Sequence, residues 1–219
     1  MISTLAMSQE IFNRLLVALP PLWDGKDCIL YMRDQGCTNW KQMEWPGWYF
    51  QFMCETSLGQ DGFFRIPGPR YGNVEFDGER VIPWDFKAHA TNAGNKVPTN
   101  GYAEIRSALD EYGLVGFIVA SGNAIYDDDM QTFKIWHNSL KGGISDYEIE
   151  RIQRGAPSRR RKESFQLDAI KFVFIDNNTI QYCGNFQGGM RNADGTPRNQ
   201  KVMIDLSDTR LEQYSFPVR

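Results

Sequence analysis

Apolar residues recur within Ser8–Leu19 at Ile11, Leu15 and Leu19, one face of an amphipathic helix that Pro20-Pro21 stops. A second helix is expected between Pro46, which suits a first helical position, and Gly59, which suits a C-terminal cap. Trp48, Phe52 and Glu55 share one stripe of it at spacings of four and three. Between residues 71 and 89 the period changes from helical to two. Val74 and Phe76 fall on one face and Asn73, Glu75 and Asp77 on the other, and Asp77-Gly78 supplies turn chemistry for a β-hairpin. In the second arm Trp84, Phe86 and Ala88 alternate with Asp85 and Lys87, so the acid and the amine point to one face. Residues 100–113 read as a helix with Asn100 as cap, Gly113 as stop and Tyr102, Ile105 and Leu109 as its stripe. Leu114–Ala120 is an apolar run of the length of a strand buried on both faces. A short helix around Ser145–Arg154 precedes a β-rich ending that contains the runs Phe172–Ile175 and Val202–Ile204. The expected fold is α/β (α+β), a central mixed β-sheet flanked by helices. It forms a single domain over 1–219: a helical N-terminal segment at 1–40, a core at 41–140 and a β-rich part at 141–219.

Composition narrows the choices. With 219 residues the chain can bury one good core. No apolar stretch approaches a membrane span, and no charged segment followed by a hydrophobic one opens the chain. The expectation is a soluble, cytoplasmic protein with no membrane partner. Four cysteines lack Cys-x-x-Cys spacing and the two histidines, His89 and His137, stand far apart. Buried free thiols are therefore expected rather than a zinc site. The net charge of -3 leaves any nucleic-acid binding to local clusters. One is Arg154, Arg159, Arg160, Arg161 and Lys162, in a loop context. Another is the polar stretch 184–201 with Gln187, Arg191, Asn192 and Arg198, residue types that read guanine and adenine edges. Asp127, Asp128 and Asp129 point in different directions and read as an exposed turn.

The chemistry concentrates at Asp85 and Lys87. Carboxylates of the first hairpin arm on the same face would complete an oxygen donor set for a hard cation such as magnesium. Glu55, on the apolar stripe of its helix, is costly unless a metal, a lysine, water or a nearby arginine pairs with it. The plain alternative for Asp85 and Lys87 is a solvated salt bridge.

The order helix-borne Glu55, hairpin Asp77, then Asp85-x-Lys87 resembles the PD-(D/E)xK nuclease superfamily, and within it a type II restriction endonuclease, over about residues 45–120. Phe76 replaces the usual proline, and the gap of eight residues from Asp77 to Asp85 is short. A turn tight around Asp77-Gly78 would put Asp77 at the tip and make Glu75 or Asn73 the nearer ligand. The resemblance implies Asp77, Asp85, Lys87 and Glu55 as catalytic residues and Mg2+ held by Asp77, Asp85 and Glu75. It implies sequence-specific hydrolysis of double-stranded DNA by a homodimer, with the N-terminal helix either at the dimer interface or capping its own core. DNA contacts would fall to His89, Thr91, Asn92 and Lys96 beside the cut, with Arg159, Arg160 and Arg161 on the backbone. Gln187, Arg191, Asn192 and Arg198 would read bases. The alternatives are a structure-selective or repair nuclease of the same superfamily, a non-catalytic DNA-binding module, and a protein-interaction domain.

Overall fold

The computed structural model describes residues 3–67, 76–156, 160–190 and 196–218. Helix α1 (Thr4–Ala18) is capped by Ser3, whose hydroxyl accepts from the Ala6 N–H, and buries Met7, Ile11, Phe12 and Leu15. A short strand β1 (Leu22–Asp24) leads into α2 (Gly25–Asp34), where Asp24 caps the N-terminus. Helix α3 (Trp45–Leu58) begins with Pro46 at its start and ends at Gly59, as its flanking residues predict. Its buried face differs from the expected one. Trp45, Tyr49, Phe50, Met53, Cys54 and Leu58 face the core, while Trp48, Phe52 and Glu55 lie half-buried on the flank. This helix is apolar almost all round, so two stripes competed and only the neighbouring sheet chose between them.

Strand β2 (Gly78–Arg80) pairs antiparallel with β3 (Ile82–Ala90). Strand β4 (Lys96–Gly101) runs into α4 (Tyr102–Tyr112), and β5 (Leu114–Tyr126) returns parallel to β3. Helices α5 (Thr132–Leu140) and α6 (Asp146–Gln153) precede the long β6 (Lys162–Asp176), and β7 (Gly184–Phe186), β8 (Lys201–Asp205) and β9 (Glu212–Pro217) complete the chain. The main sheet has the order β1-β6-β5-β3-β2, with β9 sharing an edge of β6 with β1. A second sheet, β4-β8-β7, is hydrogen-bonded separately from the first. The fold is therefore a mixed α+β arrangement around a mixed sheet.

Both faces of the main sheet are covered. On one, α1, α2 and α3 pack an aromatic core in which the Trp23 and Phe165 rings stack 4.9 Å apart and Trp84 meets Phe174 edge-on at 5.4 Å. On the other, Ile105 and Leu109 of α4 and Val97, Val202 and Ile204 of the second sheet cover Phe117, Val119 and Val173. Gly116 permits the first packing: a Cβ there would stand 2.4 Å from the Trp84 ring. The buried stripe of α1 lies against its own chain, with Phe12 stacked 5.0 Å from Phe216 of β9. This helix caps the monomer core. Among the described residues no helix is long and apolar enough to cross a membrane. Cys28, Cys37, Cys54 and Cys183 are all free thiols; Cys28 and Cys54 are buried, and Cys37 and Cys183 are partly exposed.

Candidate active site

The hairpin turns four residues later than Asp77-Gly78 chemistry suggests. Gly78 lies opposite Trp84 and Arg80 opposite Ile82, so the tip is Val81, exposed and with φ of 63°. Gly78 is a strand residue, and its missing side chain makes room for Phe64 and Phe86, which a Cβ would approach to 2.9 and 3.1 Å. Packing against these rings, rather than turn preference, sets the register. Asp77 consequently sits beside β3, opposite Asp85, instead of at the tip. Its N–H donates to the Trp84 carbonyl at 3.0 Å and its Oδ2 accepts from the Phe86 N–H at 2.7 Å. Asp85 lies between those two anchor points.

Asp85 and Lys87 share a face of β3, and their neighbours on β5 are Phe117 and Val119. That face is covered by the second core cluster, unlike the surroundings of a solvated salt bridge. Asp85 is 3% exposed, whereas Lys87 and His89 further along are partly exposed, so the site opens toward the C-terminal end of β3. In α/β sheets that end is the usual place for ligands. Lys87 Nζ stands 2.6 Å from Asp85 Oδ2. The Asp77 carboxyl is within hydrogen-bond reach of Asp85. Burial, followed by the like charge of Asp85, lifts Asp77 well above the usual carboxylate range, and Lys87 and the Phe86 N–H offset only part of this. Burial pulls the Lys87 ammonium down, but Asp85 and Asp77 outweigh it and hold the lysine more firmly charged than usual. The folded chain thus brings two carboxyls and one ammonium into a single buried cluster.

Glu55 does not join them. It belongs to α3, which packs on the Trp84 and Phe86 face, whereas Asp85 and Lys87 face the other way. Gln51 Nε2 donates to its carboxylate at 2.8 Å, and burial raises its pKa against that bond. Among the described residues no three His, Cys, Asp or Glu side chains are grouped as metal ligands. Glu75 and Asn73 lie outside the described residues.

The residues expected on DNA fall into three groups. Thr91 and Asn92 tie the end of β3 to β5: Thr91 Oγ1 donates to the Gly122 carbonyl at 3.1 Å and Asn92 Nδ2 to the Ala124 carbonyl at 2.9 Å. His89 Nε2 lies 2.7 Å from the Gly94 carbonyl, and Lys96 is exposed near Asp205. Gln187, with φ of 66°, and the exposed Arg198 belong to the stretch joining β7 to β8. Arg159, Arg191 and Asn192 lie outside the described residues.

The basic run is not one surface. Arg160 pairs with Asp129, and Lys162 with Glu44. Arg161 is 2% exposed, which removes it from the backbone-contact role expected for it. It bonds His137 Nδ1 at 2.9 Å, Asn138 Oδ1 at 2.8 Å and Glu148 Oε2 at 3.3 Å, and Lys134 reaches Glu148 at 2.9 Å. Sequence reasoning missed this network because a buried arginine needs partners that only the fold assembles. Nor is the Asp127–Asp129 stretch wholly exposed. Asp127 is buried and accepts from the Phe133 and Lys134 N–H groups at the start of α5, a capping role its distance from those residues hides.

No family model, no curated protein and no solved structure matches this chain.

Proposed function

We propose that this protein is a magnesium-dependent endonuclease that hydrolyses phosphodiester bonds of double-stranded DNA, with sequence-specific cleavage as the first reading. The observation that carries the proposal is the meeting of Asp77, Asp85 and Lys87 in one buried cluster. An isolated ion pair is normally left in water, because burying charged groups costs several kcal/mol per ion. Two acids placed beside one amine, on the strand end that opens outward, suit a charged ligand better than they suit packing.

The donor set fits the cation. Asp77 and Asp85 offer only oxygens and would hold Mg2+, a hard cation that favours carboxylates together with water and phosphate oxygens. When bound, the ion lowers the pKa of a water and neutralises charge at the scissile phosphate. Lys87 orients the attacking water and stabilises charge on the pentacovalent phosphorus from the open side of the cluster. The Trp84 carbonyl and Phe86 N–H keep Asp77 aligned against β3. Glu55, on the other face of the sheet, takes no part. Base reading is assigned to the β7–β8 connection around Gln187 and Arg198, whose residue types match groove edges.

The test incubates long bacteriophage DNA, methylated and unmethylated, with the protein and magnesium. Calcium, an Asp85→Asn variant and a Lys87→Ala variant serve as controls, with folding checked by circular dichroism. Discrete fragments absent from all controls are expected. A smear would replace sequence-specific cutting by structure-selective or unspecific cutting. Intact DNA in every lane would remove the nuclease reading.

A further inference from the structure

Lys87 is poorly placed to take a proton from the water it orients. Its Nζ lies 2.6 Å from Asp85 Oδ2, and an ammonium has hydrogens to give but no lone pair to accept one. Asp77 and Asp85 hold the cation in the proposed hydrolysis. The attacking water needs another acceptor, and β3 supplies one two residues further on.

The pairing of β3 with β5 runs without a bulge from Trp84 to Ala90, so His89 shares the face of Asp85 and Lys87. It is half-exposed at the open end of that face. At the ordinary rise of a strand it stands roughly 6–7 Å beyond Lys87, which leaves room for a water between ring and amine.

The segment that follows sets the ring. His89 Nε2 lies 2.7 Å from the Gly94 carbonyl. A carbonyl only accepts, so the neutral ring carries its proton on Nε2 and keeps a lone pair on Nδ1. The carbonyl is itself held. Gly94 has φ of 99° and ψ of -163°, a backbone conformation that suits glycine alone, and its N–H donates to the Thr91 carbonyl at 3.0 Å. Thr91 and Asn92 are bonded in turn to the Gly122 and Ala124 carbonyls of β5. A base oriented by a third group is the arrangement that activates a nucleophile.

We propose that His89 is the general base of this site, a role that rests on the nuclease reading. Nδ1 takes a proton from the water as the water oxygen bonds to phosphorus. The bond from phosphorus to the leaving oxygen breaks with its electron pair, and that oxygen takes a proton from solvent.

The experiment has two parts. Heteronuclear NMR of the imidazole nitrogens in metal-free protein, in mildly alkaline buffer, should show His89 protonated at Nε2 and bare at Nδ1. The chain has only 2 histidines, and His89→Gln assigns them. A proton on Nδ1 would overturn the inference whether or not the protein cuts DNA. With magnesium and bacteriophage DNA, the single-turnover rate should fall at least about 100-fold in both His89→Gln and His89→Ala, with DNA binding in calcium unchanged. Glutamine keeps a donor for the Gly94 carbonyl but offers no base, which separates proton transfer from holding the turn. Added imidazole should restore part of the rate to the alanine variant. Cleavage by the glutamine variant at the wild-type rate, no recovery with imidazole, or a loss confined to DNA binding would each overturn the inference. Intact DNA with the wild-type protein would remove the nuclease reading, and the general base with it.

Discussion

Replacing Asp77 by asparagine should stabilise this protein in the absence of metal. Two carboxylates about 4 Å apart repel by roughly 4 kcal/mol at an effective dielectric of 20. Lys87, 2.6 Å from Asp85, returns most of that, but burial adds a penalty of its own and is the largest of the forces on Asp77. The balance leaves a cost of about 1–2 kcal/mol on the ionised acid, well within what a buried like-charge contact imposes. Asparagine removes the charge and keeps an oxygen to accept from the Phe86 N–H. The pH dependence follows from the direction of the shift. A carboxyl whose folded pKa is raised contributes stability that is complete below its ordinary value of 3.8 and is lost as pH rises through the folded pKa. The advantage of the variant should therefore be greatest near pH 8 and shrink toward pH 4. For a chain of this size it corresponds to roughly 2–8 °C in melting temperature. Thermal melts of both proteins from pH 4 to 8.5, in chelator, read this as a difference in which other titrations cancel. Added magnesium should raise the wild-type melting temperature and leave the variant unmoved. A variant equal to or less stable than wild type at pH 8 without metal would refute the reasoning, because Lys87 would then dominate the cluster.

Three further outcomes are expected. Lys87→Ala should cost about 2–3 kcal/mol, less than the 3–5 of a fully buried pair because the lysine side chain is 30% exposed, and chemical denaturation measures it. His137 is pulled down to about 4, first by burial and then by the positive charges of Lys141 and Arg161. Its folded pKa lies below the unfolded value, so stability should fall as pH drops from about 6.5 to 4, by about 3 kcal/mol in all. Substituting His137→Gln should flatten that slope in urea titrations, and an unchanged slope would assign it to other groups. Val81, a β-branched residue at φ of 63° and exposed at the hairpin tip, should gain about 1 kcal/mol on conversion to glycine, visible as a shift in the denaturant midpoint at constant slope.

The cluster was legible where the signal was local. Alternation alone puts Asp85 and Lys87 on one side of β3, and the structure holds them 2.6 Å apart. Asp77 was identified, but its place depended on where the hairpin turned. Asp-Gly is a turn dipeptide in isolation, yet Gly78 is spent on close packing against Phe64 and Phe86 and the turn moved to Val81. Glu55 shows the opposite case. Helical spacing put it on a stripe with Trp48 and Phe52, and the sheet selected the competing stripe led by Trp45, Tyr49 and Phe50. The exposed loop read at Arg159–Arg161 failed at Arg161 for the same reason.

By itself, the sequence determined the periods: which segments coil, which extend, where α1 and α4 end and where α3 begins and ends, and that Asp85 and Lys87 share a face. Those are contacts within a few residues, governed by backbone geometry and side-chain spacing. Two helix starts lay elsewhere: α1 begins earlier, at Thr4, and Asn100 lies in β4 with Gly101 as the cap of α4. The tertiary structure alone decided which face of β3 holds the acids, that both faces are covered, and that Asp77 arrives there while Glu55 does not. It also decided that Arg161 is an internal cation rather than a surface one. Burial and long-range pairing set each of these, and both depend on side chains brought together from distant parts of the chain, which no local pattern records.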